Sequence, residues 1–88
     1  MILTQEQNQV LGTIFALGKG NTAVPVTIGA IHGTFSDMDV RDLVMHLGKL
    51  IEYGLIKNAQ HTTEKIGNIY VITPEGIKNY AENDGKRP

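Results

Sequence analysis

Three histidines and no cysteine set the limits of metal and acid–base chemistry in this sequence. His32, His46 and His61 are its only imidazoles, and any site would have to be completed by carboxylates. Only Asp42 and His46 have the i,i+4 spacing that puts two side chains on one helix face. A surface ion pair or hydrogen bond accounts for that pair more simply than a ligand site does. No motif sets a nucleophile beside a base. Gly18-Lys19-Gly20-Asn21 lacks the spacing of a phosphate-binding loop and reads as a helix stop followed by a turn. The expectation is a protein with no catalytic residues, no metal site and no cofactor.

Composition supports a binding module over an enzyme. The 88 residues carry 8 Lys+Arg against 9 Asp+Glu, a formal net charge of −1, with 41% hydrophobic residues, which describes one small globular domain. A chain this short buries only about 60–65% of its unfolded surface, leaving little room for a deep active site beside a core. Without cysteine there is no disulfide framework, and a reducing, cytoplasmic home fits. No run reaches the roughly 18 apolar residues of a membrane helix, and the first residues lack the basic and apolar stretches of a signal peptide, so no membrane association is expected. The charge balance is awkward for a nucleic-acid binder, which usually shows a basic excess.

The elements that would position the functional residues follow from periodicity. Thr4 and Gln7 have the spacing of a capping box, which predicts a first helix over about residues 5–18 with Val10, Leu11, Ile14, Phe15 and Leu17 as its buried stripe. Its outward positions, including Gln5, Asn8, Gln9 and Thr13, carry no charge, an unusual face that is either simply solvated or a partner surface. Ala23-Val24-Pro25-Val26 can be only an edge strand or a connector, because Pro25 has no N–H. Thr27 caps a second, short helix that carries Ile28, Ile31 and Phe35 inward. Ser36, Asp37 and Asp39 are alternative caps for a third helix, with Val40, Leu43, Leu47, Leu50 and Ile51 on one side and Gly54 as its stop. Residues 55–63 and 68–73 read as a β-hairpin with its turn at 64–68. Thr73-Pro74-Glu75 opens a last helix docked by Ile77, Tyr80 and Ala81, and residues 83–88 read as a frayed tail.

Two segments extend this reading. His46-Leu47-Gly48-Lys49-Leu50-Ile51-Glu52-Tyr53-Gly54-Leu55-Ile56 resembles the HLxxLxxxGLI end of the recognition helix in ArsR, MarR and PadR-like transcription regulators. Tyr70-Val71-Ile72-Thr73-Pro74-Glu75-Gly76 is similar to the YxLTxxG segment that closes the wing in that superfamily. The resemblance covers roughly residues 4–82. It implies an α+β fold, a winged helix-turn-helix domain over residues 1–82, with a three-helix core, a two- to three-stranded β wing and a short C-terminal helix. Both motifs also have purely architectural reasons: the leucines anchor the third helix and Gly54 permits a left-handed turn. They therefore determine the fold and leave function to the exposed positions.

The resemblance implies double-stranded DNA as the partner, with Arg41, Met45, His46 and Lys49 presented to the major groove from the third helix, and Lys57, His61 and Lys65 from the wing. Arg41 has the fork geometry to read guanine, and the lysines can each neutralise a phosphate. Residues 36–54, however, hold two basic residues against four acidic ones, Asp37, Asp39, Asp42 and Glu52. Two functions from different classes are consistent with this. One is a small homodimeric, DNA-binding transcription regulator whose two copies pool phosphate contacts. The other is a protein–protein interaction module of phage, plasmid or archaeal accessory type, presenting its acidic third helix or uncharged first helix without binding DNA. Gln5, Asn8, Gln9, Thr13 and Tyr80 are the expected dimer or partner surface.

Overall fold

The computed structural model describes residues 3–59 and 69–85, the last three by backbone alone. Its elements run α1 (Gln5–Leu17), β1 (Val26–Thr27), α2 (Ile28–Thr34), α3 (Val40–Glu52), β2 (Ile56–Asn58), β3 (Ile69–Ile72) and α4 (Pro74–Gly85). The α+β winged-helix order expected from sequence is the order observed. Residues 60–68, which hold the expected hairpin turn and the expected wing residues His61 and Lys65, lie outside the described residues, as do residues 1–2 and 86–88.

Local chemistry sets the element boundaries. At the start of α1 the Gln7 N–H donates to Thr4 Oγ1 at 3.1 Å and the Thr4 N–H donates to Gln7 Oε1 at 3.0 Å, the reciprocal capping box. At the end of α3, Gly54 takes φ +76°; its N–H donates to the Ile51 carbonyl at 2.9 Å and the Leu55 N–H donates to the Leu50 carbonyl at 3.0 Å. These two bonds form a Schellman motif, with Leu50 and Leu55 both buried as its apolar clasp. The helix stop therefore also launches β2 in the right direction. Of the alternative caps for α3, Asp39 is the one used.

The sheet is antiparallel with order β1-β3-β2, so the two edges flank a central β3. Val26 and Asn58 both lie opposite Tyr70, and Ile56 lies opposite Ile72. Pro25 keeps β1 to an edge, as expected for a residue with no N–H to donate. The core comprises Val10, Leu11 and Ile14 of α1, Ile31 of α2, Leu43, Leu47 and Leu50 of α3, and Val26, Leu55, Ile56, Tyr70 and Ile72 of the sheet layer. Three residues expected to pack inward do not: Ala81 is exposed because it lies on the side of α4 turned away from α1, and Leu17 and Val40 are also outside the core. Leu17 is 41% exposed because it is the last residue of α1, where the chain already turns away, and Val40 is 48% exposed because it opens α3 beyond the packed layer. The backbone of α4 continues to Gly85, beyond the boundary at residue 82.

Thr73 joins the two halves of the fold. Its hydroxyl donates to the Gly54 carbonyl at 2.6 Å and accepts from the Gly76 N–H at 3.0 Å, capping α4, while its own N–H donates to the Leu55 carbonyl at 3.0 Å. Gly76 is pressed against this junction: a Cβ there would collide with the Leu55 carbonyl and meet Ile72 Cγ1 at 2.8 Å. Backbone cannot give way as a flexible side chain can. Gly76→Ala is accordingly expected to lower stability by about 1–3 kcal/mol in urea unfolding. Gly29→Ala, whose Cβ meets no described atom within 4 Å, is expected to be neutral or stabilising by up to about 1 kcal/mol. Equal losses at the two positions would contradict the close approach at Gly76.

Candidate nucleic-acid interface

The amphipathic α3 divides its surface cleanly. Leu43, Leu47 and Leu50 are buried, and opposite them Arg41, Met45 and Lys49 form an outward row at i,i+4 spacing. Met45 is 57% exposed, and the Arg41 side chain reaches 92% exposure. Both cations have acidic neighbours close by in the chain: Arg41 Nε lies 3.5 Å from Asp39 Oδ1, and Lys49 Nζ lies 3.5 Å from Glu52 Oε2. Pairs this long and this exposed contribute little to stability and are easily exchanged for another anion. His46 lies half-buried on one flank of the row, beside the core.

Asp39 is more firmly engaged than its pairing with the guanidinium suggests. Its Oδ1 accepts the Arg41 backbone N–H at 2.8 Å, the N-cap bond of α3. That bond, and secondarily the Arg41 guanidinium, hold its carboxyl below the ordinary value of 3.8; the charge of His32 acts the same way, and slight burial opposes. Behind it, His32 Nε2 donates to the Met38 carbonyl at 3.0 Å, tying α2 to the turn that precedes α3. The charged acid at the positive end of the helix thus has a structural role, favoured by the helix dipole.

On the wing side, Lys57 is exposed on the edge strand β2, opposite Val71. Along α1 the structure brings Asn8, Gln9, Thr13 and Tyr80 together with Gly12, Ala16 and Phe35 around an open groove of about 340 Å³; Gln5 is exposed one turn away and does not line it. The Tyr80 ring packs 4.9 Å from that of Phe15, centroid to centroid, and a Cβ on Gly12 would come within 2.9 Å of it. Tyr80 therefore joins α4 to α1 while keeping one edge on the groove.

The sequence reading missed Val44, 46% exposed, and placed Val40 inward. Val44 sits about a quarter turn from the centre of the leucine stripe, a position the helical period would have placed on the flank. Among the described residues no three His, Asp or Glu side chains converge on a metal-sized space, and no helix is long and apolar enough to cross a membrane.

No family model and no curated protein matches the sequence. Solved structures do match the fold. The reduced form of MarR from E. coli superposes with a TM-score of 0.71 at 20% identity, over 96% of this chain and 56% of that one. The chain has the MarR-type winged-helix fold. A mutant of E. coli MarR complexed with operator DNA gives 0.70 at 21% identity, covering 92% of this chain and 52% of that one. The zinc-responsive MarR family member ZitR from Lactococcus lactis gives 0.70 at 24%, covering 97% and 54%. This winged helix thus spans a little over half the length of these structures.

The Asp39 carboxyl carries a pH signature with a definite sign. Because its folded value is depressed, its contribution to stability is complete above the unfolded value and is lost as pH falls through the folded one. A carboxyl-detected NMR titration is expected to place its midpoint below 3.8, and Asp39→Asn is expected to remove that step from the acid-unfolding profile. A midpoint at or above 3.8 would contradict the cap geometry.

Proposed function

We propose that this protein is a DNA-binding transcription regulator of the winged-helix type that seats α3 in the major groove and sets its wing on the backbone. The observation that carries the reading is the uncovered outer face of α3, with Arg41, Met45 and Lys49 in one outward row, on a fold shared with a MarR protein in complex with operator DNA. In this reading Arg41 exchanges Asp39 for a base edge or a phosphate, Lys49 exchanges Glu52 for a phosphate, and His46 lies at the groove margin. Lys57, His61 and Lys65 supply the wing contacts.

Few cations per chain imply that affinity comes from a pair of copies. We assign the homodimer contact to the uncharged side of α1, where Gln5, Asn8, Gln9, Thr13 and Tyr80 offer surface without charge repulsion. A two-fold dimer calls for a palindromic site with half-sites about one helical turn, roughly 34–36 Å, or a multiple of it apart. A regulator of this kind works in the cytoplasm. The acidic balance around α3 is the feature that favours the interaction-module alternative, acting through α3 or α1 alone, and the fold shared with a DNA-bound MarR protein weighs against it.

Binding to duplex DNA titrated with salt tests the proposal. Affinity is expected at about 50 mM salt and to fall steeply toward about 200 mM, as phosphate contacts require. Arg41→Ala is expected to cost about 1–3 kcal/mol and relax preference at one base pair, whereas Lys65→Ala is expected to weaken all sequences alike and reduce the salt slope by about one. Absence of binding at about 50 mM salt would sink the reading.

A further inference from the structure

We infer that DNA binding by this chain is linked to a proton on His32. The imidazole ties α2 to the turn that precedes α3 and, when charged, offsets the acidic start of that helix, so affinity rises as the pH falls. This rests on the DNA reading above and adds a condition that regulates it.

The ring is held by one bond. His32 is half-buried near the end of α2, and its Nε2 donates to the Met38 carbonyl at 3.0 Å, across the turn in which the Met38 N–H donates to the Phe35 carbonyl at 2.9 Å. Because a carbonyl only accepts, Nε2 keeps its proton whether the ring is neutral or charged, and a second proton goes to Nδ1. Charging the ring therefore strengthens a bond it already makes and asks for no rearrangement of the turn. The residue after Met38 is Asp39, the cap of α3, whose carboxyl is held low in part by the charge of His32. A charge on α2 is thus felt at the first turn of α3.

The neighbouring charges give the sign. His32 is the only ionisable residue of α2. The turn and the first turn of α3 carry Asp37, Asp39 and Asp42 against Arg41. Of the two elements packed on α2, α1 contributes only Glu6 and β1 has no ionisable residue. These segments therefore set carboxylates against a single guanidinium. In a helix-turn-helix complex the first helix crosses the backbone while the second enters the groove, so α2 and the start of α3 lie against phosphates. There the aspartates repel, and a charged imidazole restores part of the attraction. Histidine is the side chain whose charge changes between about pH 5 and pH 8, whereas carboxylates in general stay charged across most of that range. His46, half-buried on the flank of α3, is the other described imidazole and serves as the comparison.

The test uses the 88-residue chain and duplexes selected by it from a random-sequence pool at about 50 mM salt. At constant salt, Kd is expected to fall about three- to tenfold from about pH 8 to about pH 6, the coupling of one imidazole that binds its proton about three- to tenfold more tightly in the complex. His32→Gln keeps an N–H donor for the Met38 carbonyl but cannot take the charge. It is expected to lose most of this fall, whereas His46→Gln is expected to retain most of it. In the unaltered protein at about pH 7, the His32 ring signals followed by NMR are expected to move toward their charged-form positions as duplex is added, a readout that needs no variant. His32→Gln with the full pH effect, or His32 ring signals that do not move toward the charged form, overturns the proton link and leaves the DNA reading intact. So does an affinity that does not change with pH. Failure to bind any duplex at about pH 6 and about 50 mM salt overturns both.

Discussion

The contact on which the rest of this fold depends is the approach of the α4 N-terminus to the Leu55 carbonyl. Leu55 is at once the apolar clasp of the α3 stop, the residue that leads into β2, and the acceptor of the Thr73 N–H. Thr73 in turn bonds back to Gly54 and forward to Gly76. Four elements thus meet within a few residues, and the meeting is close enough that only a residue without a side chain stands at position 76. The end of α3, the start of β2, the end of β3 and the start of α4 are joined here by backbone and hydroxyl bonds.

That constraint gives α3 its double character. Its inner leucines supply a large part of the core, so the helix cannot reorient without losing apolar burial, roughly 1.5–3 kcal/mol for each such side chain. Its outer row, held rigidly by that burial, is a platform on which Arg41, Met45 and Lys49 keep a fixed spacing. Rigid presentation suits readout of a regular lattice such as a duplex, because little conformational entropy is lost on binding. The acidic residues around the row are in part structural. Asp39 caps the helix, and Glu52 accompanies Lys49 at the far end. The local excess of negative charge, which by itself argues against DNA, is thus partly the cost of starting this helix well.

Much of the architecture was legible in the residues. The Thr4–Gln7 box, Thr27, Gly54 and Thr73-Pro74 mark element boundaries through bonds between near neighbours in the chain, and such bonds form wherever those residue types recur at that spacing. The leucine stripe of α3 was legible for the same reason. Leu17 and Val40 were misplaced because periodicity assigns a helix face without saying where along the axis the neighbouring layer ends. The candidate site was legible only in part. Arg41, Met45 and Lys49 do share a face, whereas the exposure of Val44 and the empty space over Gly48 depend on which elements fail to cover α3. The expected convergence of Asn8, Gln9, Thr13 and Tyr80 joins opposite ends of the chain, and it is the packing of α4 on α1 that brings them together.

The sequence by itself determined the order of elements, their caps and stops, the apolar faces and the charge balance, because each depends on interactions within a few residues. Only the tertiary structure decided that Gly76 must be bare, that Tyr80 bridges two helices, and that one face of α3 remains open, because these follow from which distant segments come together and which do not. Gly48 and Gly76 are the same residue type and both stand within helices; packing leaves one in open space and presses the other against a backbone carbonyl.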